Sequence, residues 1–465
     1  MTRKHLAAAA AAALLLPLAG CGGDAGAQDD GTVTVTVGYQ SKTINTVTAG
    51  TLLRSLGYFE RELGELGRRE GRTYKVKWQD YATGAPITAQ MMAGKVDIGS
   101  MGDFPLLINA ARGKQMKAPT RLVSVTGYNL RGGLNTIVTR PDSPLRSLSD
   151  LRGKRVSTSV GSAADGTLIR ALQRAGIDAG KDIRKLNQQP AVGASALQSG
   201  GADALSQFVA WPGLLVFQGR AKPLYDGAAL DLPTFHGVTV RERFGDQRRE
   251  VVEAFLKAQI AAGGYLHHHP LEAARRVATA TGLPPEVVYL YNGAGGVASF
   301  DPTLKPRLVS ALKKDVPVLR SAKLIGPVDV DGFVDDSFIK RAFGSGYAKA
   351  LDSTANPAPV SGTDPLTHTD VNDPATASEA LTGKGSVPFA TPDSLLRYLA
   401  DHRVAAAYVP DAATGNRWFA DKSTWVLDAG HLRPFTTPDG AAKWAARHPG
   451  SRTVSYQAAL KEAKR

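Results

Sequence analysis

The chain of 465 residues has one cysteine, Cys21, and only five methionines. Without a second cysteine no internal disulfide forms and no multi-thiolate metal site can be built, so a packed core must hold the fold. Beyond the first twenty residues no apolar run approaches the roughly 20 residues that a membrane-spanning helix needs. There is no Gly-x-Ser-x-Gly elbow, no cysteine nucleophile and no paired metal motif, so an enzyme is not expected. The formal charge is +14, yet the basic residues are scattered rather than blocked. Zinc-finger spacing, aromatic–basic RNA motifs and basic dimerising helices are all missing. A nucleic-acid partner is therefore not expected. The charge suits an anionic membrane surface and anionic solutes instead.

What is present begins at the N-terminus. Arg3, Lys4 and His5 precede an apolar run from Leu6 to Leu18 that only Pro17 interrupts. Leu18-Ala19-Gly20-Cys21 then resembles the bacterial lipobox, in which a secretory signal is cut before a cysteine that takes a lipid. The run is short for an uncleaved transmembrane anchor. The expectation is a signal peptide over residues 1–20, lipidation at Cys21, and a small, polar tether over residues 21–31. That places the mature chain outside the cytoplasm, lipid-anchored at the cell membrane.

Residues 32–350 alternate strand-like and helix-like segments, the pattern of an α/β architecture. Thr32 to Val37 alternates strictly and reads as a first strand. Ala49 to Glu65 reads as a helix, Lys75 to Trp78 as a strand, Ile87 to Ala93 as a helix and Val96 to Gly99 as a short buried strand. Lys154 to Thr158 is a further strand, and Gly161-Ser162 opens a helix that runs through Leu172. Residues 351–386 are rich in Ser, Thr, Pro, Asp and Gly and read as a linker. In residues 387–465, Pro388-Phe389-Ala390-Thr391-Pro392-Asp393 returns as Pro434-Phe435-Thr436-Thr437-Pro438-Asp439 (388 to 434, an offset of 46). Each copy reads as a strand, an N-cap threonine with proline behind it, and a helix. Two such units imply a small α+β domain.

Gly38-Tyr39-Gln40, Gly94-Lys95-Val96-Asp97-Ile98-Gly99, Gly102-Asp103-Phe104-Pro105, Leu148 to Val156, Gly161-Ser162 and His269 to Ala274 together resemble the solute-binding proteins of ABC importers for nitrate, sulfonate and taurine. The resemblance implies an α/β, two-lobed type II periplasmic binding protein fold with a small C-terminal α+β domain. Lobe 1 would be residues 32–130 and 230–350, and lobe 2 residues 131–229. The ligand would lie in the cleft between them. Its partners would be a small anionic solute and an ABC permease with its ATPase, the binding protein being a monomer.

Strand ends in such sheets are where ligands bind. Gln40 and Ser41 leave the first strand, Gly102 and Asp103 a later one, and Ser159, Gly161 and Ser162 open a helix whose free N–H groups suit an anion. Ser162 also forms a capping pattern with Asp165. Trp211 offers an apolar wall or a core side chain. Asp103 sits awkwardly for an anion, and reads as a helix cap or a contact for the cationic end of a zwitterion. Gln40 can alternatively satisfy backbone groups of its turn.

The tail, with Asp401 to Val409 and its Ala-Ala-Lys-Trp-Ala-Ala helix, is similar to the C-terminal part of the NosL copper lipoproteins. Copper(I) prefers soft ligands, and the tail holds neither cysteine nor methionine. His402, His431 and His448, like His267-His268-His269, read as surface residues, and no metal or cofactor is expected. The function expected is capture of a sulfonate-, taurine- or nitrate-like anion for an ABC permease. A copper-handling accessory lipoprotein and a thiamine-precursor binder are the alternatives.

Overall fold

The computed structural model describes residues 31–465; the leader and Cys21, with the signal and lipidation readings, lie outside the described residues. Eleven strands build two sheets. They are β1 (Thr32–Tyr39), β2 (Thr73–Asp80), β3 (Ile98–Gly102), β4 (Thr120–Asn129), β5 (Asn135–Thr139), β6 (Arg155–Thr158), β7 (Arg184–Asn187), β8 (Ala204–Phe208), β9 (Lys222–Asp226), β10 (Thr234–Arg241) and β11 (Ser299–Phe300). Lobe 1 has the order β11-β4-β10-β3-β1-β2 and lobe 2 the order β7-β6-β8-β5-β9.

The two sheets share one plan. In lobe 1, β1 lies parallel between β2 and β3, and in lobe 2, β6 lies parallel between β7 and β8. Each sheet is then completed by an antiparallel strand that the chain supplies just after crossing from the other lobe, β10 in lobe 1 and β5 in lobe 2. Central strands β3 and β8 are buried along their whole length, as strands covered on both faces must be. The outer strands β2 and β7 carry Lys75, Lys77, Arg184 and Lys185, charges that discourage edge-to-edge pairing.

Most sequence expectations appear as elements with shifted ends. The helix expected over 49–65 is split into Thr51–Leu56 and Tyr58–Glu70, because Gly57 adopts a left-handed conformation (φ +63°) between them. The short strand begins at Ile98 rather than Val96. The helix expected from Ile87 begins at Gly84, with Pro86 tolerated in its first turn.

The segment expected as a linker contributes Ser378–Thr382, which pairs with Gly385–Phe389 on one side and Ala406–Pro410 on the other. The second unit repeats this arrangement with Thr424–Asp428 between His431–Phe435 and Arg452–Val454. Both Thr391 and Thr437 accept a backbone N–H as N-caps, with Pro392 and Pro438 behind them. The repeat therefore begins one strand earlier than its Pro-Phe motif.

The tail is not packed apart from the body. Leu381, Tyr408, Trp418 and Phe419 share a core with Leu134, Val209, Tyr289 and Phe300. Tyr289 donates its hydroxyl to Glu379 at 2.8 Å, and Glu379 also pairs with Arg417. Both charged side chains are almost fully buried. Removing one partner of such a pair strands the other charge, which costs about 3–5 kcal/mol. Arg417→Ala is expected to destabilise the tail by that amount, read as an earlier denaturant transition in tryptophan fluorescence from Trp418 and Trp425.

His236, on β10, is buried, with Asn45 Nδ2 2.6 Å from its Nδ1. The amide donates, so Nδ1 accepts and the ring is neutral. Burial lowers its pKa to about 3. Because the folded value lies below the unfolded one, the stabilising effect is complete above about pH 6.5 and fades as pH falls toward 3. His236→Gln is expected to lose less stability than the parent between pH 7.5 and pH 4.5 in denaturant melts.

Candidate functional site

A cavity of about 280 Å³ lies between the lobes. Lobe 1 contributes Thr83, Gly84, Ala85, Pro86 and Pro105; lobe 2 contributes Ser159, Val160, Gly161, Ser162, Asn187, Gln188 and Gln189. Four helices begin at these residues: α1 (Gly84–Met92), α2 (Asp103–Gln115), α3 (Ala163–Arg174) and α4 (Pro190–Gln198). The loops after β2, β3, β6 and β7 lead into them, so the topology itself gathers four helix N-termini around one space. Each such end carries partial positive charge and unpaired N–H groups.

No side chain lining the cavity is charged. The polar groups are hydroxyls and amides with donors to spare. Asn187 Oδ1 accepts from Val160 N at 3.1 Å and Gln188 Oε1 from Ser157 Oγ at 2.8 Å, leaving both –NH2 groups uncommitted. Ser162 Oγ accepts from Asp165 N at 3.3 Å, so its own proton is free to be donated. Thr83, the N-cap of α1, makes no side-chain cap bond. These groups can hold an anion by hydrogen bonds and helix ends, and they offer a cation no carboxylate.

The loop from Ser159 to Ser162 is held from behind. Ser159 Oγ donates to Gln188 O at 2.9 Å and accepts from Gln207 Nε2 at 3.1 Å. Asp165, fully buried, accepts from Gly161 N at 3.0 Å and pairs with Lys185 at 2.8 Å. Gly161 takes φ +80°, which a side chain would strain, and a Cβ there would sit 3.0 Å from Ile108 of lobe 1. Two more contacts close the lobes. Arg170 of α3 pairs with Asp315 at 2.7 Å, and a Cβ on Gly166 would lie 2.2 Å from the ring of Phe104.

The expected site residues divide. Ser159, Gly161 and Ser162 line the cavity, and Ser162 is also the cap of α3. The other five lie outside its lining. Gln40 is buried and bonded at both ends of its amide, to Ser100 O at 3.1 Å and Thr43 Oγ1 at 3.3 Å, so it secures its turn. Ser41 gives its N–H and its hydroxyl to Asp80 at 2.8 and 2.6 Å. Gly102 lets β3 approach His236 and Ala163, where a Cβ would meet them at 3.1 and 3.4 Å.

Asp103 is buried and accepts the N–H groups of Phe104 and Phe235. It stands in the first turn of α2, behind the N-cap Gly102, and ties that turn to β10; burial raises its pKa to about 6 despite those bonds. Trp211 sits on the seam between lobes, packed against the core, with Lys42 Nζ 5.9 Å from its ring. Thr83, Asn187, Gln188 and Gln189 escaped the sequence reading. The signals for two of them were there: Thr83 precedes a Gly-Ala-Pro helix start, and Gln189 stands before Pro190 at a first helical position.

The histidines have local roles. His402 stacks on Tyr398 at 3.9 Å and His448 on Trp444 at 4.1 Å, each bonding the carbonyl one turn back. His268 bonds Gly264 O, while His269 lies against Tyr265.

Residues 74–273 match the family described as NMT1/THI5 like. A protein of Bacillus subtilis (strain 168) named for aliphatic sulfonate binding is 26% identical over 332 residues, which is 71% of this chain and 94% of that one. The taurine-binding periplasmic protein of Escherichia coli (strain K12) is 26% identical over 229 residues, 49% of this chain and 68% of that one. Among solved structures, the alkanesulfonate-binding protein SsuA from Xanthomonas axonopodis pv. citri bound to MOPS has a TM-score of 0.54 at 24% identity, covering 65% of this chain and 98% of that one. The periplasmic nitrate-binding protein NrtA from Synechocystis PCC 6803 has a TM-score of 0.53 at 14% identity, over 71% and 94%. The family match ends at residue 273, so the NosL-like reading of the tail rests on its sequence motifs alone. Residues 74–273 are thus similar to the NMT1/THI5-like family, the chain is similar in sequence to sulfonate- and taurine-binding proteins, and its fold is that of the two-lobed binding proteins.

Proposed function

We propose that this chain is an extracytoplasmic solute-binding lipoprotein that captures a small sulfonate-, taurine- or nitrate-like anion and delivers it to an ABC permease and its ATPase. One observation carries the reading: four helix N-termini and uncommitted hydroxyl and amide donors surround a small interlobe cavity that has no charged wall. An anion bound there trades hydration for fixed donors and helix ends. The relatives named for sulfonates and taurine support that ligand class.

The reading is of a binding protein rather than an enzyme. The lining holds no histidine, cysteine, lysine or carboxylate, so the serines there have no neighbouring base to activate them. Periplasmic relatives support an extracytoplasmic place, and the lipobox at Cys21 supports a lipid anchor. A monomer suffices, since both walls of the cavity come from one chain.

Calorimetry with taurine, short alkanesulfonates and nitrate is expected to show 1:1 binding of at least one of them. No heat with any of these, together with tight copper binding, overturns the reading. Ser162→Leu fills the cavity and is expected to weaken binding at least tenfold, about 1.4 kcal/mol, while costing about 1 kcal/mol of stability through the lost cap; unchanged affinity removes Ser162 from the site. Gly166→Val drives a side chain into Phe104 and is expected to hold the lobes apart, weakening binding without touching the cavity wall.

A further inference from the structure

The chain crosses between lobes twice, over residues 130–134 and 227–233. These crossings lie against each other so closely that a Cβ on Gly227 would sit 2.5 Å from Gly132 O. Each is tied by the last side chain of the strand that enters it. Asn129 Oδ1 accepts the N–H groups of Arg131, Gly132 and Gly133, all at 3.0 Å. Asp226 Oδ1 accepts Ala228 N at 3.0 Å.

The tail reaches both ties with one residue. Asn416 Nδ2 donates to Asp226 Oδ2 at 2.9 Å, and Asn416 Oδ1 accepts from Asn129 Nδ2 at 3.4 Å. It fits against Gly133, where a Cβ would lie 2.4 Å from its Oδ1. Asn416 is itself fixed. Its carbonyl accepts Asp411 N at 2.8 Å, closing a turn in which Asp411 also accepts the N–H groups of Ala413, Thr414 and Thr436. The strand that follows packs Phe419 against Phe217 of lobe 2, and Tyr408 of the neighbouring strand donates to Glu286 O of lobe 1 at 2.8 Å.

We propose that the tail is a brace on the hinge, with Asn416 as the positioning residue that holds the two lobes near the closed angle. Opening the lobes changes the backbone angles of both crossings, and Asn416 is bonded to the tie of each. A protein already held closed spends less binding free energy on closure, so its affinity rises by the fraction of molecules in that state. The effect on affinity rests on the anion-binding reading; the effect on the hinge does not.

Hydrogen–deuterium exchange of the full chain without ligand tests the hinge. Asn416→Ala is expected to speed exchange at least tenfold at Arg131, Gly132, Gly133 and Ala228, and also in residues 163–170 at the distant lobe contact, while residues 424–435 of the tail exchange as in the parent. Gly133→Ala pushes Asn416 away from the hinge side and leaves the tail sequence intact, so it is expected to act the same way even if Asn416→Ala loosens the tail itself. In both variants taurine affinity, where the parent binds taurine, is expected to fall about tenfold with little change in melting temperature. Parent-like exchange at the hinge and at 163–170 in Gly133→Ala overturns the brace. Absence of any anion binding by the parent overturns the functional reading and leaves the exchange result to stand by itself.

Discussion

The backbone contact of Gly132 with Gly227 is the constraint on which the rest of this molecule depends. Each sheet is finished by a strand delivered across that contact, so neither lobe can complete its hydrogen bonding without the chain passing to and from the other. Two crossings side by side allow bending and resist sliding. They keep the starts of α1 and α2 opposite the starts of α3 and α4. The cavity is thus a product of topology more than of any one side chain. A bulkier residue at either glycine meets carbonyl oxygens that have no room to retreat.

The parts legible in the sequence are those governed by local rules. Thr32 to Val37 alternates as a strand whose register one sheet face dictates, and it is one. Ser162 carries the signature of an N-cap and sits at a helix start lining the cavity, because capping and ligand exposure both need that position. Gln40, Ser41 and Asp103 occupy the right loops, but their side chains turn to backbone groups or to Asp80 that no local pattern names. Gln188 and Thr83 enter the cavity from loops that meet only in three dimensions. The tail repeat was readable from Pro-Phe-x-Thr-Pro, whereas its opening strand Ser378–Thr382 lacks those letters and hid in a stretch of linker-like composition.

The placement of the tail shows how a polar contact and an apolar one divide the work. Trp418 and Phe419 supply the area that binds the tail to the body, which is non-directional. Glu379, Tyr289, Arg417 and Asn416 supply direction, since their hydrogen bonds and the buried ion pair hold only in a defined geometry. A tail held only by aromatics could rotate; with these bonds it meets the hinge in one register.

The uncharged walls of the cavity carry a consequence for the surroundings in which the protein works. Hydroxyls, amides and helix ends have nothing to titrate between about pH 4 and pH 10. The lining itself therefore keeps its charge state as acidity changes, where a lining of histidine or lysine would not. Recognition at such a wall rests on shape and hydrogen-bond count.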